Sequence, residues 1–404
     1  MKGTALLILV IAFVALTANV TLGASVDSVD ILIKALVNKG IITEDDAAGV
    51  RAEIANIRQD EETTKKSFSV SAKRPIKLSG YIQERYTGSN LQGFNDTFET
   101  KRARLTLAGD ATDKVDFKLQ VDFAGSKSAL TGATLTPNAD PLKDTLATKS
   151  ANLGKPTLLD AIWGYKLSAE QKLSIGQFKI PFGLENLTSS NALDTINRSL
   201  VTESLVPGRD NGSQGRSVGA QFSSLMLNSG GWARGLTEYY VGVFDGSGTN
   251  APDDNSRKDP AVRVVWQPGV TGLQLAGEYY NGVAGASSKG LIHNRNGGSL
   301  AYQYGPWSLK SEYIWGRDGN VNKSGWYGIL LRQLNSNTQA VVRFDTLNAN
   351  TAVQNDPIST WTFGFNKFLN KDGYTRWQVN YESRRAPDPS IRQDQVIAQY
   401  QAGF

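Results

Sequence analysis

The chain has 404 residues, with Lys+Arg 43 against Asp+Glu 38, Gly 40, Met 2, one His and no Cys. That composition excludes disulfide frameworks, thiolate zinc sites, iron–sulfur clusters and covalent haem attachment, and beyond the first two dozen residues no apolar run approaches the ~20 residues of a membrane helix. Mean hydropathy is negative, while glycine stands above its usual ~7% beside Trp 8, Tyr 14 and Phe 15, a mixture that suits a β protein with many turns.

The N-terminus reads Lys2, an apolar stretch from Ala5 to Leu16 and small residues up to Ala24. This order of charge, apolar stretch and cleavage zone predicts a secretory signal peptide over residues 1–24. Its removal takes Lys2 and leaves 42 basic against 38 acidic residues, a net +4. From Val26 to Lys66 the period becomes helical: Val29, Ile31, Leu32, Leu36 and Val37 form one stripe, Gly40 stops it, and Thr43-Glu44-Asp45-Asp46 opens a second helix bearing Val50, Ile54 and Ile57. Thr43 and the acidic first turn serve free amides and the helix dipole. Residues 25–75 are thus expected to be a short periplasmic helical segment and linker that associates with itself, plugs the barrel end, or stays a solvated linker.

From Ile76 to Phe404 the period is two. Val115, Phe117, Leu119, Val121 and Phe123 alternate with Asp116, Lys118, Gln120 and Asp122, and Trp361, Phe363 and Phe365 alternate with Thr362, Gly364 and Asn366. Sixteen such segments are predicted, at 76–86, 97–109, 114–124, 158–167, 171–180, 215–225, 236–246, 259–267, 272–281, 298–304, 306–315, 326–334, 338–346, 359–368, 374–384 and 394–404. Tight turns such as Asp110-Ala111-Thr112-Asp113, Ser168-Ala169-Glu170 and Gly305-Pro306 alternate with longer polar connections. Short turns on one rim and long loops on the other mark an all-β fold: a transmembrane antiparallel β-barrel of about sixteen strands over residues 76–404, with fourteen or eighteen the alternatives, set in outer-membrane lipid. The last segment places Val396, Ala398, Tyr400, Ala402 and Phe404 on one face, like the terminal aromatic signature read by the barrel insertion machinery.

The fifth segment runs into Ile175-Gly176-Gln177-Phe178-Lys179-Ile180-Pro181-Phe182-Gly183-Leu184-Glu185, followed later by Val206-Pro207-Gly208-Arg209-Asp210-Asn211-Gly212. With Arg102-Ala103-Arg104-Leu105 and Asp122-Phe123-Ala124, this resembles the phosphate-selective porin O and P family across residues 76–404. The resemblance implies a sixteen-stranded, usually trimeric outer-membrane porin whose third long loop, here 181–214, folds into the pore. Arg85, Arg102 and Arg104 stand on the first two strands, where that family places pore-lining arginines. From the residues themselves, roughly thirty polar residues with Pro181 and Pro207 make too long a connection to be idle; it narrows the lumen, lies over the mouth or docks on a neighbour.

With apolar residues facing lipid, the lumen is expected to receive Lys77, Arg85, Arg102, Arg104, Lys118, Lys166, Arg263, Lys310, Arg332, Arg343 and Arg376 against Asp116, Asp122, Asp160, Glu238, Glu278, Glu312, Asp345 and Glu382, eleven minus eight, +3. A low-dielectric wall focuses the field of such cations and guanidinium pairs with oxyanions in a fork, favouring small anions. The loop contributes Lys179, Arg198, Arg209 and Arg216 against Glu185, Asp194, Glu203 and Asp210, no net charge, so selectivity there depends on arrangement. The residues expected to line the pore and bind anions are Arg85, Arg102, Arg104, Lys118, Lys179, Arg198, Arg209, Arg263, Arg343 and Arg376. Arg102 and Arg104, two apart on one strand and ~7 Å along it, are expected to meet one oxyanion together.

No Gly-x-Ser-x-Gly elbow or phosphate loop is present, and His293 is expected in a polar loop as a surface residue. No enzyme, cofactor, metal or nucleic-acid partner is expected. The reading is passive diffusion of small solutes, anions such as phosphate among them; the alternatives are a general porin and a barrel sheath around a partner such as a multihaem cytochrome.

Overall fold

The computed structural model describes residues 37, 43, 47, 74–90, 95–124, 134–136, 145–147, 156–228, 235–285, 290–353, 357–370, 373–386 and 392–404. The chain divides into two compact units, Met1–Pro75 and Ile76–Phe404. The expected signal peptide and helical segment fall in the first and lie outside the described residues, apart from the three isolated positions.

The second unit is one closed barrel. Its strands are β1 (Ile76–Ser89), β2 (Thr97–Asp110), β3 (Val115–Asp122), β6 (Thr157–Lys166), β7 (Gln171–Lys179), β8 (Arg216–Asn228), β9 (Gly235–Phe244), β10 (Asp259–Pro268), β11 (Leu273–Ala284), β12 (Leu291–Tyr304), β13 (Trp307–Asp318), β14 (Val321–Asn335), β15 (Thr338–Asn348), β16 (Ile358–Phe368), β17 (Arg376–Arg385) and β18 (Gln393–Gly403). Each pairs antiparallel with its neighbour, and β18 returns to β1 from Tyr81↔Gly403 to Ser89↔Gln395. Each of the sixteen predicted segments coincides with one of these strands. A small hairpin, β4 (Thr134–Thr136) with β5 (Thr145–Ala147), sits in the connection between β3 and β6 and was not expected.

The barrel is inside out relative to a water-soluble protein. Trp361, Phe363 and Phe365 are 46%, 47% and 58% exposed while Thr360, Thr362 and Asn366 on the opposite face are buried. Trp326, Phe344, Trp361 and Phe363 continue ring to ring across β14–β16 at 5.4, 4.8 and 5.9 Å. Such an apolar outer band is what lipid demands, and closure leaves no backbone edge unpaired in it.

Two strands begin earlier than expected: β12 at Leu291 instead of 298, and β14 at Val321 instead of 326. The β13–β14 connection is therefore Gly319-Asn320, a tight turn on the rim expected to carry only long loops. The polar residues His293, Arg295, Asn322 and Ser324 look like loop, yet they pair in register: His293 and Arg295 lie on the inner face, which selects polar residues, while Asn322 and Ser324 continue the outer face of β14 from Trp326 toward the rim. His293 accordingly lies on β12 and not in a loop. Arg332 is also corrected: Tyr327, Ile329 and Leu331 are the buried inner residues of β14, so Arg332 faces outward, over the Trp307 ring at 5.0 Å. A long side chain snorkelling over an outer aromatic satisfies both lipid and its own charge.

A loop-bounded cavity in the barrel lumen

The third long connection, residues 180–215 and here called L3, holds helix α1 (Leu184–Leu187), a 3-10 turn (Ser190–Ala192) and helix α2 (Leu200–Leu205). It lies inside the barrel, hydrogen-bonded to strands on both sides of the lumen, and it is less polar than its sequence suggested. Ile180, Phe182, Val201, Leu205 and Val206 are essentially unexposed and pack with Phe178, Phe244, Tyr280 and Ile314 of the inner wall. Each such side chain contributes about 1.5–3 kcal/mol on burial, enough to fix a loop that needs no net charge.

The motif that carried the family resemblance builds this docking. Phe182 enters the apolar patch. Gly183, at φ +84, turns the chain where a Cβ would stand 3.2 Å from Glu312 Oε1. The amides of Leu184 and Glu185 then donate to the two Glu312 oxygens at 2.9 and 3.4 Å, so a carboxylate of β13 caps α1. Lys179 closes the other end, donating to the carbonyls of Asn186 at 2.5 Å and Thr188 at 3.0 Å. Asp345 of β15 caps α2 through the Leu200 amide at 2.9 Å. In the later stretch Arg209 donates to Asn186 at 2.7 Å and Glu203 at 2.9 Å. Asp210 accepts from Arg295 at 3.0 Å and contacts His293 at 3.2 Å.

Across the lumen the attachment is polar. Gln83 donates to the Ser190 carbonyl at 3.2 Å, Gln401 and Arg376 to that of Asn191 at 3.1 and 2.7 Å, and the Ile196 amide to Asn380 at 2.7 Å. Beside this side opens a cavity of about 530 Å³. Its lining includes seven bases, Lys101, Arg102, Arg104, Arg198, Arg209, Arg343 and Arg384, and five acids, Glu99, Asp122, Glu203, Asp345 and Glu382, seven minus five, +2.

The expected pore residues separate by what already holds them. Arg104 is spent, donating to Asp122 at 2.8 Å, Ser190 at 3.2 Å and Gln214 at 2.6 Å, so it does not share one free oxyanion site with Arg102. Arg343 lies among Asp345 at 3.0 Å, Glu185 at 3.6 Å and Glu382 at 3.9 Å, and donates to Thr195 and Asn197 of L3. Arg85 donates to Asn197 and Gln399, and Arg376 to L3 alone. Arg263 is buried against Glu278 and Lys118 pairs with Asp160 at 2.7 Å, both away from the cavity lining. Arg102 and Arg198 differ: the first donates to Gln83 at 2.8 Å, the second to the carbonyls of Glu185 and Thr188, and neither forms an ion pair with a described carboxylate. Burial and the like charges of Arg209 and Arg102 push the Arg198 pKa down to about 9, which leaves it cationic at neutral pH.

Sequence reasoning missed Lys101, Arg384 and Glu99 in the cavity, and Arg295 behind L3. Arg295, fully buried, donates to the Leu205 carbonyl at 2.8 Å and to Asp318 at 2.7 Å. No alternation marks it, because His293, Asn294, Arg295 and Asn296 are polar on both faces of β12; the available signal is Leu291-Ile292 ahead of them.

A closed sixteen-stranded antiparallel barrel, apolar outside and polar within, with a loop folded into its lumen, defines an outer-membrane porin. The chain belongs to the phosphate-selective porin O and P family, which matches residues 82–297, more than half its length. It is similar in fold to the anion-selective porin from Comamonas acidovorans (TM-score 0.58, 12% identity, 82% of this chain and 100% of that one). Similar too are OmpF of Salmonella typhi in complex with daunomycin (0.57, 10%, 83% and 99%) and the loop L8 deletion mutant of OmpT of Vibrio cholerae (0.51, 12%, 81% and 99%). A search of curated proteins returns no match. Family and fold place the chain in the outer membrane as a channel.

Proposed function

We infer that the channel passes small anions, phosphate among them, in preference to cations, and that L3 sets the narrowest part of the path. The observation that supports this most directly is the pair Arg102 and Arg198, cations that line the cavity without a carboxylate partner among the described residues while the acids beside them are engaged by Arg104, Arg209 and Arg343. In a low-dielectric lumen an uncompensated guanidinium attracts oxyanions over a longer range than a paired one. The family description agrees in naming phosphate. Homotrimeric assembly, insertion guided by Phe404 following β18 and secretion by a signal peptide complete the proposal on the strength of family and sequence. A lumen occupied by L3 argues against a sheath around a cytochrome.

The test is the reversal potential across a planar bilayer under a potassium chloride gradient. Anion preference is expected, reduced in Arg102→Ala/Arg198→Ala, along with a weaker block of chloride current by phosphate. A cation-preferring or unselective wild type overturns the anion reading in favour of a general porin. Native mass measurement in mild detergent tests the trimer.

A further inference from the structure

β1 and β2 keep one register from Ile76↔Gly109 to Gln83↔Arg102, then step, so that Glu84 faces Thr100. Lys101 is the extra residue of this β-bulge, and bulges re-aim side chains. Below the step Arg104 and Arg102 lie opposite Tyr81 and Gln83, whose side chains are buried inside the barrel. Above it Glu99 lies opposite Arg85, also buried inside. Residues two apart share a face, so Lys101 falls inward with Glu99 while Arg102 falls inward with Arg104. Strict alternation would have turned Lys101 to lipid, where a charge is costly. The cavity lining agrees, since it holds Lys101 beside Arg102 and Arg104.

We propose that this bulge makes Lys101 a selectivity residue of the pore, the member of the Lys101, Arg102 and Arg198 group nearest the long-loop rim, where arriving small oxyanions meet it first. The proposal rests on the anion reading above and adds a residue to it. Lys101 has the freedom the role needs: its side chain keeps 39% exposure, against 4% for Arg104 and 5% for Arg85. Its ammonium stands 3.4 Å from Glu99 Oε1, the oxygen that also lies 4.0 Å from Arg85. Glu99 therefore divides its charge between two cations and neutralises neither, and Lys101 swings on a flexible stem between Glu99 and a passing anion.

Because the chain contains no cysteine, Lys101→Cys introduces a single thiol. In the reconstituted channel it is expected to react with the water-soluble sulfonatoethyl methanethiosulfonate and cut the current stepwise, while Ala103→Cys, on the lipid-facing side of the same strand, stays unmodified. Lys101→Gln is expected to lower the anion-over-cation permeability ratio on the order of two-fold, Lys101→Arg to keep it and Glu99→Gln to raise it. A Lys101→Cys channel as unreactive as Ala103→Cys overturns the placement. A reactive one whose Lys101→Gln counterpart keeps the wild-type ratio overturns the selectivity role. Either result leaves the wild-type reversal potential to decide the anion reading separately.

Discussion

The two sides of L3 meet the barrel by different physics. Toward β7–β13, Phe182, Leu205 and Val206 sink into a patch of Phe178, Phe244, Tyr280 and Ile314. Toward β16–β18 and β1, residues 190–197 lie on Gln83, Gln378, Gln401 and Asn380 through hydrogen bonds, next to the charged cavity. The difference separates two tasks. The dry side supplies most of the free energy that holds the loop, because apolar burial needs no exact geometry. The wet side supplies position, since amide bonds are directional and worth about 0.5–1.5 kcal/mol net each. The charged cavity thereby lies on the side where the loop is held by many separate polar bonds and not by the apolar patch.

This division predicts a ranking of effects. Phe182→Ala removes a fully buried aromatic and is expected to cost about 3–5 kcal/mol of loop docking: conductance rises, L3 becomes open to protease, and the barrel still shifts on heating in gel electrophoresis. Glu312→Ala is next, leaving the Leu184 and Glu185 amides uncapped at about 1–3 kcal/mol; current noise should increase with mean conductance little changed. Glu203→Gln sharpens the other side. Glu203 is half-exposed but its partner Arg209 is buried, so removing the carboxylate leaves that guanidinium without its counter-charge; some stability is lost and the reversal potential should move toward the anion. The smallest effect is with pH. Because Arg198 stays protonated below its lowered pKa of about 9, its own contribution to anion preference should be flat from about pH 6 to 8, read as the difference between wild-type and Arg198→Ala reversal potentials in one salt gradient.

The barrel was legible because lipid forces a strict apolar face: Trp377, Val379 and Tyr381 announce a strand whatever lies opposite. Where the outer face is less regular, legibility failed. Leu291 and Ile292 head a strand whose inner residues His293 and Arg295 resemble loop, so β12 was read short. Arg332 was assigned by charge alone, against the outward Trp326 and Leu330 that share its face. Lys101 required knowledge of the partner strand, because a bulge is a property of two chains in register. L3 reads as a long pore loop, yet its apolar anchors stay hidden in the sequence, since Phe182, Val201 and Leu205 have no periodicity to mark them. Which arginines remain unpaired was beyond reach, being set by contacts such as Arg104 with Ser190 and Gln214, between residues roughly ninety and more apart in sequence.

The backbone pairing of Gly80 with Phe404, 3.0 Å in both directions, and the side-chain hydrogen bond that Gln83 donates to Gln401, 318 residues apart, bear on how the molecule is made. Contacts so distant in sequence carry the largest loop-closure entropy and form last. Until then β1 and β18 are open edges able to pair with another chain. L3 straddles this seam, with Ser190 on Gln83 and Asn191 on both Gln401 and Arg376. The loop that occupies the lumen is thus also a clasp across the join, and the rate at which newly made barrels zip shut should depend on it.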